Sequence, residues 1–151
     1  MLKDYMLFNN LKEELMKSPI DYLKLHEFQK EIGELGEQFV YEYELKKLQD
    51  TDFADKIDKT KANDNTNGYD ILSYTKTGKK LHIEVKATVT SKEEFYISQH
   101  EFEVAKEIVE KGGLYKVYFV KEILGNPQLE IIDDILGEEK YFKKASSLEN
   151  G

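Results

Sequence analysis

A β-hairpin is predicted in the middle of this 151-residue chain, and any fold of the chain has to contain it. Residues 69–75 and 81–88 have the composition of strands, and they flank a glycine-containing turn at residues 76–80. From Leu81 to Lys86 apolar and polar residues alternate, so successive side chains point to opposite faces of a sheet. The sequence therefore predicts an antiparallel pair of strands with one apolar face.

A long helix is predicted before the hairpin, from about Asp21 to Leu48. Apolar residues recur there at spacings of three and four and form one stripe along the helix. The stripe consists of Phe28, Ile32, Leu35, Phe39 and Tyr43. Ser18-Pro19 has the form of an N-cap followed by the first helical residue. Gly33 and Gly36 share a face, which predicts that another backbone packs closely against the helix.

A further helix and two strands are predicted after the hairpin. Ser98-Gln99-His100-Glu101 has the form of a capping box that opens a helix, and Gly112-Gly113 closes it. Residues 114–120 form the clearest strand, and residues 128–133 are predicted to pair with it. Shorter candidates are an amphipathic helix at residues 2–17, a weak strand at 54–60 and an extended piece at 95–98. The predicted order is α-α-β-β-β-α-β-β.

The composition predicts one globular α/β domain with a mixed sheet flanked by helices. Hydrophobic residues make up 40% of the chain, and 10 Tyr and 8 Phe supply enough apolar volume for a core despite 34% charged residues. We expect a helical extension at residues 1–20, the α/β domain at residues 21–136 and a charged tail at residues 137–151.

The composition also excludes several kinds of site. The chain has no cysteine, so it has neither disulfides nor a thiolate zinc site. No apolar run approaches the roughly 20 residues of a membrane span, and the first ten residues make a poor signal peptide, so we expect a cytoplasmic protein without membrane contact. The net charge is −8, and all 22 basic residues are lysine. Any nucleic acid would therefore be bound through backbone charge, shape or metal rather than through the arginine contacts that read guanine.

The hairpin also brings together residues with the chemistry of a metal site. Asp70 and Glu84 are symmetric about Thr77, so a short turn places them nearly opposite each other. Two carboxylates with the Val85 carbonyl between them make an all-oxygen site of the kind that Mg²⁺ or Mn²⁺ prefers. Lys86 beside such a metal would orient or deprotonate a water and neutralise charge on a phosphate. The same alternation is typical of the solvent face of an ordinary strand, so spacing alone leaves both interpretations open.

Four short segments occur in an order that is specific when they are taken together. They are Gly33-x-x-Gly36-Glu37, Asn67-Gly68-Tyr69-Asp70-Ile71, Ile83-Glu84-Val85-Lys86 and Phe95-Tyr96-Ile97-Ser98-x-x-Glu101, followed by Ala105 and Tyr115. An aspartate and a Glu-x-Lys on adjacent strands resemble the PD-(D/E)XK nuclease superfamily. Over about Glu31 to Ile132 the chain resembles, more closely, the domain at the C-terminus of the plant protein NO VEIN. Tyr69 stands where the superfamily pattern has proline.

The resemblance implies a restriction-endonuclease-like αβββαβ core, here with an extra N-terminal helix. It implies that Asp70 and Glu84 bind a divalent metal together with Glu37, and that Lys86 is the catalytic lysine. Glu34 is the residue most easily confused with Glu37 in this acidic helix. The implied activity is Mg²⁺- or Mn²⁺-dependent hydrolysis of DNA. Such a domain would bind DNA weakly alone and would work with an ATPase or helicase module or as a homodimer.

Two other classes of function stay open. One is a catalytically inactive DNA-binding or assembly module that keeps the nuclease fold. The other is a structural interaction domain that uses the face of Gly33 and Gly36. The enzyme would lose metal-dependent cleavage when Lys86 is replaced by alanine, whereas the inactive module would have no metal affinity and would tolerate that change.

Some neighbouring residues are candidates for supporting roles. Gln99 is predicted to reach the site from the start of its helix, and His82 lies on the same strand face as the site and is a candidate phosphate contact. Lys79 and Lys80, at the tip of the hairpin, are candidate contacts to a DNA backbone. Mutual capping explains Ser98 and Glu101 without a part in catalysis.

Overall fold

The computed structural model describes residues 19–137, with side chains described from Tyr22 onward. The helix predicted at residues 2–17, the Ser18 cap and the tail beyond Gly137 lie outside the described residues. Within residues 19–137, no helix combines the length and the apolar character that crossing a membrane requires.

The described residues form two α-helices and four strands, with three short 3-10 helices between the first α-helix and the first strand. The elements are α1 (Pro19–Lys47), β1 (Ile71–Tyr74), β2 (Lys80–Ala87), α2 (Gln99–Glu110), β3 (Leu114–Lys121) and β4 (Gln128–Ile132). The sheet has the order β1-β2-β3-β4, with β2 and β3 parallel and the other two pairs antiparallel. This arrangement confirms the predicted α/β class with a mixed sheet flanked by helices, and it is compatible with an αβββαβ core.

Two of the predicted short strands are not strands of the sheet. Residues 95–98 lie outside the four strands of the sheet. The Phe95 ring instead packs over the sheet against Phe119, with centroids 5.0 Å apart. Residues 54–60 begin as a 3-10 turn and make a single bridge, between Asp58 and Leu72. The Asp58 carboxylate then accepts a 2.8 Å hydrogen bond from the Thr60 N–H, which turns the chain away from the sheet.

The sheet has an apolar cluster on each face. One packs under α2 and contains Phe95, Ile97, Ala105, Tyr115, Val117, Phe119, Ile132 and Ile135. The other packs under α1 and contains Val40, Ile71, Leu81, Ile83, Val85, Tyr118 and Val120. Alternate residues of β2 therefore face different helices, and the polar set from His82 to Lys86 shares its side of the sheet with α2.

Helix α1 has nearly the predicted bounds, but the predicted apolar stripe is partly wrong. Leu35 and Tyr43 of that stripe are 46% and 41% exposed. The buried line consists of Leu25, Ile32, Gly36, Val40, Glu44 and Leu48. Because this line contains a glycine and an acid, hydropathy alone favours the neighbouring line.

The two glycines of α1 differ in their surroundings. A methyl group built at Gly36 would lie 2.6 Å from the Ala87 Cβ and 3.3 Å from a Val85 methyl, whereas one built at Gly33 would meet no atom within 4 Å. The predicted close approach to another backbone is therefore correct for Gly36 and wrong for Gly33. Gly36 lets α1 pack directly on the end of β2.

We expect Gly36→Ala and Gly33→Ala to change stability in opposite directions. Crowding against Ala87 should lower the free energy of unfolding of Gly36→Ala by about 1–3 kcal/mol. Gly33→Ala should raise it by up to about 1 kcal/mol, because alanine has the higher helix propensity. Urea unfolding of the two variants and the wild type measures both changes. Equal destabilisation by both substitutions would contradict the packing of α1 described here.

Candidate active site

The hairpin brings Asp70 beside Glu84, at the point where the chain enters β1. Ile71 pairs with Ile83, and the Asp70 N–H donates a 2.8 Å hydrogen bond to the Ile83 carbonyl. Asp70 thus comes immediately before the first pair of the ladder, and its charge acts on Glu84 of β2. The Asp70 carboxylate accepts a 2.8 Å hydrogen bond from the N–H of Val85, the residue that follows Glu84.

Lys86 connects this pair of acids to helix α2. Its Nζ lies 3.2 Å from Glu84 Oε2 and donates a 3.0 Å hydrogen bond to Glu101 Oε1. The Glu84 side chain is 5% exposed, Lys86 19% and Glu101 22%, so these groups are largely shielded from water. Asp70, Glu84, Lys86 and Glu101 together are called the carboxylate–lysine cluster below.

Helix α2 begins with the predicted capping box. The Ser98 Oγ accepts a hydrogen bond from the Glu101 N–H at 3.1 Å, and Glu101 Oε1 accepts one from the Ser98 N–H at 2.9 Å. The sequence predicts this cap but not the contact between Glu101 and Lys86. The only sequence signal for this contact is the Ser-x-x-Glu segment. Because capping alone explains that segment, it does not indicate a contact with Lys86.

Burial and charge together shift the pKa values of the cluster. Burial raises the pKa of Glu84 well above its ordinary value against the attraction of the Lys86 ammonium, and the carboxylates of Asp70 and Glu101 raise it further. Burial also raises the pKa of Asp70, against the hydrogen bond from Val85. Burial opposes the charged forms of Glu101 and Lys86 as well, but their mutual attraction lowers the pKa of Glu101 and contributes to raising that of Lys86. The cluster thus has more acid than its lysine neutralises.

Glu37 extends this acidic region from helix α1. Burial raises the pKa of Glu37 from 4.5 to about 7, and the carboxylates of Asp70 and Glu34 contribute to the shift. Glu37 is half-buried and senses the charge of Asp70, whereas Glu34 is exposed. Of these two candidates, Glu37 is therefore the one that the fold brings toward the cluster.

Glu37 should make the metal-free protein less stable as the pH rises. Its folded-state pKa lies above the unfolded value of 4.5, so folding binds a proton and the free energy of unfolding falls between about pH 4.5 and pH 7. We expect Glu37→Gln to be more stable than the wild type at pH 8 by about 1 kcal/mol, allowing for solvent screening, and equally stable at pH 4. Urea unfolding in EDTA tests this, with exposed Glu31→Gln as the control. A gain that is the same at both pH values would contradict it.

Residues 36–132 match the family described as Protein NO VEIN, C-terminal. The chain belongs to this family. The matched region contains the whole carboxylate–lysine cluster and begins at Gly36, so Gly33 lies outside it. No curated protein matches the chain, and no solved structure does.

The loop that leads to Asp70 packs closely against α2 and β3. Gly68 has a φ of +73°, and a methyl group there would lie 2.6 Å from a methyl group of Val104 in α2. The Tyr115 hydroxyl donates a 2.8 Å hydrogen bond to the Gly68 carbonyl. Gly68 and Tyr115 therefore fix the approach of the chain to Asp70.

The cluster has the donor chemistry of a hard-cation site. No three His, Cys, Asp or Glu side chains within residues 22–137 are arranged to hold a metal ion. Mg²⁺, however, is commonly held by one or two carboxylates and keeps several waters. Asp70 and Glu84 supply two neighbouring carboxyl groups, and burial raises the pKa of each although the Lys86 ammonium acts against the rise. The chemistry of these donors fits a divalent cation, and the predicted parts of Glu37 and the Val85 carbonyl stay predictions.

The other predicted contacts lie at different places around this NO VEIN C-terminal domain. The His82 ring packs edge-on against Tyr69 and hydrogen-bonds the Leu114 carbonyl at 2.9 Å. The Gln99 amide donates to Glu103 on the outside of α2 rather than to the cluster. The hairpin tip, with Lys79 and Lys80, lies at the opposite end of β2 from Lys86. Six residues of strand correspond to about 20 Å, so one phosphate would not contact both places.

A surface cleft of about 510 Å³ opens beside the cluster. Its lining residues are Asn65, Thr66, Ser98, His100 and Glu101. The His100 ring hydrogen-bonds the Thr66 carbonyl at 2.8 Å and so joins α2 to the loop before β1. Through Glu101, the cleft gives the cluster a face toward solvent.

Glu44 is a second buried acid that the sequence did not predict. It is fully buried on the α1 side of the sheet and accepts hydrogen bonds from the Ser73 hydroxyl at 2.6 Å and from the Tyr118 hydroxyl at 2.8 Å. Lys47 pairs with the same carboxylate. Both oxygens of Glu44 are therefore engaged, and the residue ties α1 to β1 and β3.

Proposed function

We propose that this domain is a metal-dependent nuclease that hydrolyses phosphodiester bonds of DNA. The observation that carries the proposal is the buried arrangement of Asp70 and Glu84 with Lys86 3.2 Å from Glu84. Buried acids with shifted pKa values and a fixed cation are typical of catalytic sites. The order of these residues on adjacent strands supports placing the domain in the PD-(D/E)XK superfamily.

Each residue would have a distinct part in the reaction. Asp70 and Glu84, with Glu37 and the Val85 carbonyl as further candidates, would hold Mg²⁺ or Mn²⁺. When bound, that ion would polarise the phosphate and acidify a water. Lys86 would orient the attacking water and neutralise charge that develops on the phosphate oxygens. The burial of Glu84 and Lys86 strengthens both interactions, since water screens them less.

DNA affinity is expected to be weak and sensitive to salt. The net charge is −8 and the chain has no arginine, so few lysines are available to displace counterions from a phosphate backbone. An ATPase or helicase module, or a second copy of the chain, would supply the missing affinity. A cytoplasmic location stays a prediction from the sequence.

The alternative is an inactive DNA-binding or assembly module with the same fold. The observation that favours it is that no three acidic or histidine side chains of the described residues are arranged to hold a metal ion. In that case the ion pairs of Lys86 would only stabilise the packing of α2 on β2. The two functions differ in metal-dependent cleavage, which is directly measurable.

The test is cleavage of supercoiled plasmid DNA at low salt with Mg²⁺, with Mn²⁺ and with EDTA. We expect nicked or linear product with either metal, none with EDTA and none from Asp70→Asn. Asp133→Asn is the matched control, because Asp133 is exposed and pairs with Lys116 away from the cluster. Cleavage of labelled single-stranded DNA and of labelled RNA identifies the preferred nucleic acid. Absence of cleavage by folded wild-type protein with both metals would favour the inactive module.

A further inference from the structure

We infer that Glu101 is a positioning residue that holds the Lys86 ammonium in place beside Glu84. The inference rests on the proposed function and extends it to a residue on helix α2. The Lys86 Nζ has two anchors, Glu84 Oε2 at 3.2 Å and Glu101 Oε1 at 3.0 Å. Without the second anchor, the flexible lysine side chain would be held by Glu84 alone.

The two anchors have different surroundings. Glu84 lies beside Asp70 and would share its carboxylate between Lys86 and a bound cation. Glu101 comes from the first turn of α2, and its side chain accepts hydrogen bonds from Lys86 and from the Ser98 N–H. Glu101 can therefore keep Lys86 in place while Glu84 serves another charge.

The capping box makes Glu101 a rigid anchor. One oxygen, Glu101 Oε1, accepts hydrogen bonds from both Lys86 Nζ and the Ser98 N–H. The Ser98 hydroxyl in turn accepts from the Glu101 N–H, so the carboxylate is fixed to the start of the helix. The position of the lysine thus depends on how α2 begins, which joins the helix start and the cluster in one unit.

A pair of substitutions separates positioning from capping. Glutamine at the third position of a helix also completes a capping box, so Glu101→Gln keeps the cap and removes the charge that holds Lys86. Ser98→Ala removes the hydroxyl of the cap and keeps the carboxylate. A role in capping alone predicts the larger effect from Ser98→Ala, and a positioning role predicts the larger effect from Glu101→Gln.

The first readout is independent of metal and substrate. In metal-free protein labelled with ¹⁵N-lysine, the Nζ resonance of Lys86 reports whether the ammonium is held or mobile. We expect a distinct, slowly exchanging signal in the wild type and in Ser98→Ala. In Glu101→Gln we expect it to move toward the position of exposed lysines. An unchanged Lys86 signal in Glu101→Gln, or an equal shift in Ser98→Ala, would overturn the inference.

The second readout is plasmid cleavage with Mn²⁺. We expect Glu101→Gln to lower kcat about 10- to 100-fold with little change in KM, as is usual for groups that orient a catalytic residue. Ser98→Ala should lower the melting temperature, and it should lower kcat less than Glu101→Gln does. Wild-type protein that does not cleave DNA would overturn the nuclease proposal, and the lysine signal would still decide the role of Glu101.

Discussion

Replacing Lys86 by methionine is expected to lower the rate of metal-dependent DNA cleavage by at least about 100-fold. Methionine keeps the apolar stem of the lysine but has no charge to place on a phosphate or a water. Lys86 lies 3.2 Å from Glu84 and 3.0 Å from Glu101. Measurement of kcat on plasmid DNA with Mn²⁺ gives the loss directly.

The same substitution should also destabilise the metal-free protein. It leaves Glu84 and Glu101 buried without their cation, and removal of one partner of a buried pair typically costs about 3–5 kcal/mol. Activity is therefore measured at a temperature at which circular dichroism shows Lys86→Met to be folded. Lys111→Met is the control, because Lys111 is 73% exposed and pairs with Glu107 at the surface. If kcat of folded Lys86→Met is within about threefold of the wild-type value, the ammonium is not catalytic.

Replacing Glu84 by glutamine is expected to abolish cleavage and yet stabilise the metal-free protein. Glutamine resembles the protonated acid, which burial already favours at this position. The folded-state pKa of Glu84 lies above the unfolded value, so folding takes up a proton and the wild type loses stability as the pH rises above about 4.5. We expect Glu84→Gln to gain about 1–3 kcal/mol at pH 8 and nothing at pH 4.

Urea unfolding in EDTA at the two pH values measures this gain. Glu103→Gln is the control, because Glu103 is exposed on α2 and contacts only Gln99 among the hydrogen bonds described here. A charged residue that lowers stability but is needed for activity is expected at a functional site, because activity and stability often make opposite demands. A lower free energy of unfolding for Glu84→Gln than for the wild type at pH 8 would contradict this prediction. It would mean that the Glu84 carboxylate stabilises the metal-free fold.

Local sequence patterns predicted the hairpin and the pairing across it. The turn at residues 76–80 fixes the register, so the pairing of Ile71 with Ile83 follows from counting residues, and Asp70 comes just before this pair. The capping box at Ser98 and Glu101 is equally local, since both of its hydrogen bonds lie within four residues. These features depend on neighbours in the chain and need no knowledge of the tertiary fold.

Features that depend on packing between distant segments could not be predicted in the same way. The contact of Lys86 with Glu101 joins a strand to a helix fifteen residues later, and no pattern within either segment indicates it. The buried line of α1 passes through Gly36 and Glu44 because the sheet needs a close approach at one and a hydrogen-bond acceptor at the other. Hydropathy counts neither residue as apolar, so the predicted stripe followed the adjacent line.

The most direct test of the central claim is calorimetric titration of Mn²⁺ into the wild type and into Glu84→Gln at neutral pH and low salt. The account predicts binding to the wild type and loss of that binding in Glu84→Gln, while Glu103→Gln binds like the wild type. Equal binding by the wild type and Glu84→Gln, or no binding by either, would contradict a metal site built on Asp70 and Glu84.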